Sequence, residues 1–176
     1  MYKPLLAAAA AVTMTMGAVP AAFADSHSDA VIAAAFEGRV DALRYHVARG
    51  ADINARDQNG FTPLHWAVYR NHLPMVRYLL EQGADIDARD TGHATPLVLA
   101  ASQGHVVAFK ALLDHGANIE ATTKSGYTPV EYAREMPHES QIRALVDDAY
   151  ATRRRFNHAS SLQAITMNPV AFGRAY

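Results

Sequence analysis

Residues 57–89 read DQNGFTPLHWAVYRNHLPMVRYLLEQGADIDAR, and the pattern begins again 33 residues later. Gly50, Gly83 and Gly116 stand one period apart, as do Thr62-Pro63, Thr95-Pro96 and Thr128-Pro129. Ala67, Ala100 and Ala133 keep the register, and so do His72, His105 and His138. Ala51-Asp52-Ile53 returns as Ala84-Asp85-Ile86 and as Ala117-Asn118-Ile119. A fixed period of this length belongs to stacked-repeat folds, in which no unit can bury its own apolar face alone. Such folds work by presenting a surface rather than by enclosing a catalytic pocket.

Local chemistry within the unit predicts two short helices. Thr62 is a helix cap and Pro63 fits the first helical position, where no N–H is needed. Leu64, Ala67 and Val68 then give an apolar face at helical spacing. A second helix starts near Leu73, with Pro74 tolerated in its first turn. Val76, Leu79 and Leu80 form its inner face, and Gly83 ends it. Asp85-Ile86-Asp87-Ala88 leads into the next turn, and Asn59-Gly60 reads as a hairpin tip.

On Asp57, Gly60, Thr62-Pro63-Leu64-His65, Ala67, Leu79-Leu80, Gly83-Ala84-Asp85-Ile86 and Ala88, the unit resembles an ankyrin repeat. The resemblance covers about residues 28–149 and implies an all-α ankyrin repeat solenoid. It implies paired antiparallel helices with short β-hairpin-like turns, about four repeats and degenerate terminal caps. The expected repeats are 25–56, 57–89, 90–122 and 123–149, within a repeat domain over 25–149. The first unit lacks the Thr-Pro pair and the last loses its Gly-Ala-Asp turn. Terminal repeats face water on one side, so such degeneracy is expected.

The 176 residues fit about one domain, and half of them are hydrophobic. There is no cysteine, which removes disulfides and thiol chemistry. Lys3 followed by an uncharged, alanine-rich stretch and Ala22-Phe23-Ala24 reads as a bacterial-type secretory leader over 1–24, cut after Ala24. That predicts a periplasmic or secreted protein with no stable membrane insertion after cleavage. Residues 25–149 carry 11 Lys and Arg against 17 Asp and Glu, a net charge of -6. Residues 150–176 carry Arg153, Arg154, Arg155 and Arg174 and no acid, and form a basic C-terminal tail.

Nine histidines raise the question of a metal. Packed elements sit about 8–10 Å apart, whereas zinc ligands lie ~2.0–2.1 Å from the ion. A ladder one repeat apart therefore cannot chelate one ion, and the ankyrin resemblance implies that His72, His105, His138 and His65 are scaffold. No nucleophile elbow, phosphate loop or metalloprotease helix is present. No catalytic residue, metal or cofactor is expected, and the chain is read as a non-enzyme.

The resemblance places partner contacts on the hairpin tips and the exposed face of each first helix. Carried onto this sequence, these are Phe36, Arg56, Phe61, Tyr69, Arg70, Arg89, Gln103 and Tyr127. Aromatics and Arg are the residue types enriched in interaction hot spots. The expected function is protein–protein recognition by a monomer, with no nucleic-acid partner. The alternative reading is a carrier or accessory protein for a ligand such as haem, or an immunity protein against a toxin.

Overall fold

The computed structural model describes residues 27–134 and 137–152. Seven helices alternate short loops with short turns: α1 (His27–Glu37), α2 (Val40–Val47), α3 (Pro63–Tyr69), α4 (Leu73–Glu81), α5 (Pro96–Gln103), α6 (Val106–Asp114) and α7 (Pro129–Ala133). A further helical stretch over 139–152, α8, takes the second-helix place in the last repeat. The leader expected over 1–24 and all but the first residues of the tail over 150–176 lie outside the described residues.

The Thr-Pro pairs do what their chemistry predicts. Thr62, Thr95 and Thr128 are extended N-caps whose hydroxyls accept from His65 N–H, Val98 N–H and Glu131 N–H. Proline follows at the first helical position each time, where its missing N–H costs nothing. The helices are too short to be stable alone, so packing supplies what propensity does not.

That packing is asymmetric. The first helices α1, α3, α5 and α7 lie closely side by side, whereas α2, α4 and α6 barely touch one another. The reason lies in the small residues on the inner row. Ala34, Ala67, Ala100 and Ala133 are all buried, and their methyl groups let the backbones approach. Larger residues fill the wedge behind them: Leu43, Leu64, Met75, Leu79, Leu97, Phe109, Leu112 and Ile142 are fully enclosed. Each such side chain contributes about 1.5–3 kcal/mol by leaving water.

The histidine ladder sets the seams between repeats. His72 Nε2 donates to the carbonyl of Phe36 at 3.1 Å, and His105 Nδ1 donates to the carbonyl of Val68 at 2.9 Å. A Cβ placed on Gly38 would fall 2.9 Å from the His72 ring, and one on Gly104 would fall 2.4 Å from the His138 ring. Glycine is therefore what lets the His72 and His138 rings lie against the repeat before them, whereas Asn71 takes that place before His105.

One expectation is corrected. The turns between repeats are not β-hairpins, because no strand forms among the described residues. Each loop is closed within itself, as in Asp57 N–H to Phe61 O (3.0 Å) and Gly60 N–H to Asp57 O (2.9 Å). Consecutive loops then share single backbone bonds, Thr91 N–H to Asn59 O and Lys124 N–H to Gly92 O, each 2.9 Å. A tight loop leaves arms too short for the run of alternating bonds that makes a ladder.

Candidate functional site

The expected contact residues are brought together unevenly. The structure places Phe36, Phe61, Tyr69 and Arg70 around one side chain, Trp66, at the middle of α3. The Trp66 ring meets Phe36 edge-on at 5.2 Å, Phe61 at 5.1 Å and Tyr69 at 5.8 Å. Arg70 lies over the Phe36 ring with its guanidinium carbon 4.7 Å from the centroid. Four aromatic rings and one cation thus span repeats one and two.

Trp66 itself is 6% exposed. It is core in burial, as an apolar helix position suggests, and it is also the hub that orients the exposed rings. Its indole N–H donates to Asp57 Oδ2 at 3.1 Å. The other Asp57 oxygen accepts from Asn59 N–H and Phe61 N–H, both at 2.8 Å. One loop carboxylate therefore fixes both the loop and the hub of the aromatic cluster. This coupling escaped the sequence reading, because an Asp nine residues before a Trp carries no local signature.

The remaining expected residues divide. Phe61 is half-buried and stacks on the His65 ring at 5.2 Å. Tyr69 is on the exposed side of the cluster, at 37%. Arg56 is exposed but engaged, since its guanidinium donates to the carbonyls of Gly60 and Arg89. Arg89 and Gln103 are exposed. Tyr127 stands apart, in edge contact with Tyr132 at 5.7 Å. Between the two aromatic groups, repeat three presents Ala94, Leu99 and Ser102 at the places of Phe61, Trp66 and Tyr69.

His65 is held as the sequence suggests. Thr62 N–H and hydroxyl lie 3.2 Å and 2.8 Å from its Nδ1, which leaves Nε2–H to donate to Ala94 O at 3.2 Å. Burial pushes its pKa below the ordinary 6.5, against the bond to Ala94 and the nearby Asp90 carboxylate. The ring is therefore neutral at pH 7 and serves as a strut between repeats. Among the described residues, no three His, Asp or Glu side chains converge as metal ligands would.

Two family models, both for ankyrin repeats, match residues 6–90 and 84–133. Together they run through every Thr-Pro cap and the His72 and His105 seams. The chain is an ankyrin-repeat protein.

Among curated proteins, this ankyrin-repeat protein is 47% identical over 49 residues to Acyl-CoA-binding domain-containing protein 4 of Oryza sativa subsp. japonica. The match covers 28% of the chain and 15% of that relative. It is 51% identical over 45 residues to Acyl-CoA-binding domain-containing protein 1 of Arabidopsis thaliana, covering 26% of the chain and 13% of the relative. It is 44% identical over 45 residues to Protein VAPYRIN-LIKE of Medicago truncatula, covering 26% and 10%. The chain thus spans a small part of each relative's length.

These matches correct one expectation. The relatives are plant proteins, which overturns the periplasmic or secreted location read from residues 1–24. The first family match also begins at residue 6, inside the stretch that had been read as a leader. Among the described residues, no helix is long and apolar enough to cross a membrane. The ankyrin repeats form a non-enzymatic binding module.

Proposed function

We propose that this chain is an accessory recognition module for a ligand-handling protein, and that it binds that protein through the aromatic face of repeats one and two. The observation that carries the reading is the Trp66 cluster. It joins Phe36, Phe61 and Tyr69 with Arg70 on packed helices, so little freedom is lost when a partner docks. The ligand-handling context rests on the relatives, two of which are named for acyl-CoA binding. The module would act as a monomer, with its repeats divided at 25–56, 57–89, 90–122 and 123–149 and the basic tail following.

A second reading has its own support in those names: the chain itself carries the ligand. Its best place is the open groove between α2 and α4, lined by Arg44, Val47, Tyr78 and Gln82, where Arg44 lies over the Tyr78 ring at 5.3 Å. A solvent-open groove covers little of a long acyl chain, which is why recognition of a protein is preferred.

The test is affinity capture with the full chain beside a Tyr69→Ala/Arg70→Ala variant, with calorimetric titration of palmitoyl-CoA and of haemin in parallel. One protein retained by the parent and lost with the variant, at unchanged Tm, supports the accessory reading. Stoichiometric binding of palmitoyl-CoA or haemin that the variant leaves intact replaces it with the carrier reading.

A further inference from the structure

The three loops that open repeats two, three and four form one strip, tied edge to edge by Thr91 N–H to Asn59 O and Lys124 N–H to Gly92 O. At the loop tips, residues 56–61, 89–94 and 122–127, the ionisable side chains are segregated. The two acids there are half-buried and used up inside the loops: Asp57 accepts three hydrogen bonds, and Asp90 accepts from Gly92 N–H and Ala94 N–H at 2.8 Å and 2.7 Å. The bases there, Arg56, Arg89, His93 and Lys124, are all exposed. The tips of an acidic repeat array are therefore basic, while Asp85, Asp87 and Glu120 lie behind them on the same loops.

His93 makes the strip more than an accident of charge. It stands where the neighbouring loops have Gly60 and Gly126, and it adopts the same left-handed backbone, φ +62 against +76 and +80. Glycine reaches that conformation without strain, whereas a histidine does not. Local strain that the fold could shed by one substitution is a pointer to use. The strained side chain is exposed, and lies in the same loop as Arg89.

The geometry points to an acidic, extended protein segment as the occupant of this strip. This rests on the recognition reading above and adds the chemistry of the partner. Carboxylates meet Arg89 and His93 in one loop and Lys124 in the next, and the rings of Phe61 and Tyr127 flank the line. A nucleic acid is disfavoured, because the few cations here neutralise few phosphates.

The experiment is fluorescence anisotropy on the full chain with a short labelled peptide of Glu, Asp, Leu and Tyr. The same peptide with Lys at every acid and an oligothymidylate serve as competitors, and amide shifts are mapped by NMR. The acidic peptide alone is expected to bind, moving the amides of Arg89, His93 and Lys124, and to weaken as salt rises. Arg89→Gln/Lys124→Gln lowers its affinity about three- to tenfold, the range for two exposed charge pairs. His93→Gly weakens binding while raising Tm by about 2–4 °C, a split that a purely structural residue would not give. Equal binding of all three probes, preference for the oligothymidylate, no binding, or an unaffected double variant overturns the acidic partner. None of those results touches the loss of a captured protein with Tyr69→Ala/Arg70→Ala, so the broader reading fails or stands on its own test.

Discussion

Repeats two and four begin their first helices with the same Thr-Pro pair, yet they secure the loop before it and the turn after it by different chemistry. In repeat two, Asp57 holds the loop with three hydrogen bonds and His65 closes the helix cap. In repeat four, Thr123 stands in the place of Asp57, and its buried hydroxyl finds no hydrogen-bond partner among the described residues. Glu131 replaces His65, with its carboxylate accepting from Thr128 N–H at 2.7 Å and from the Thr128 hydroxyl at 2.8 Å. One backbone shape is thus compatible with an aromatic strut or a surface carboxylate. What differs is how firmly the loop is held and at which pH it lets go.

The largest expected difference is between the rings that follow. Trp66→Ala empties a buried site with three ring partners, and should cost about 3–5 kcal/mol in urea unfolding. Tyr132→Ala removes a half-buried ring in contact with Tyr127, and should cost about 1–2 kcal/mol. Equal losses would mean that the Trp66 cluster is not a hub.

The loops come next. Asp57→Ala strands Asn59 N–H, Phe61 N–H and the indole N–H, for a loss of about 1–3 kcal/mol. It should also shift Trp66 fluorescence, since the indole loses its acceptor. Thr123→Asp moves the other way. It offers an acceptor to the loop amides of repeat four and should gain about 1 kcal/mol, read as a higher urea midpoint.

Acid separates the two caps without any mutation. Burial keeps the folded His65 pKa below 6.5, so the unfolded chain binds that proton first. Its contribution is fully present above about pH 6.5 and is lost as pH falls through the folded value. Glu131 is held below 4.5, chiefly by the Thr128 backbone bond and then by the Thr128 hydroxyl, so its contribution persists until the carboxylate range is passed. Amide exchange at Thr62 should therefore quicken at a higher pH than at Thr128. The reverse order would show that His65 is not the cap's closing element.

Much of this was legible in the sequence because the deciding residues are local. Thr-Pro at a helix start, Gly-Ala-Asp after a helix end and the small Ala67, Ala100 and Ala133 each act within a few positions of themselves. The loop geometry was misjudged for the same reason. Asn-Gly is a strong hairpin signal, but strands need partners along their length, and these loops share one backbone bond per neighbour. The aromatic cluster was half legible. Phe36, Phe61, Tyr69 and Arg70 were named from the ankyrin resemblance, whereas Trp66 as their hub, and Asp57 as its anchor, depend on contacts between a loop and a helix that no period records. Location was read from residues 1–24 alone, and the plant relatives overturn it.

The seams made by His72 and His105 carry a consequence for how such a chain can change over generations. Each ring crosses one boundary and reads only the repeat before it. Duplicating or deleting one whole unit therefore leaves every other junction as it was. The length of the presented face becomes a quantity that recombination can adjust in steps of one repeat, while the chemistry of each step is inherited intact.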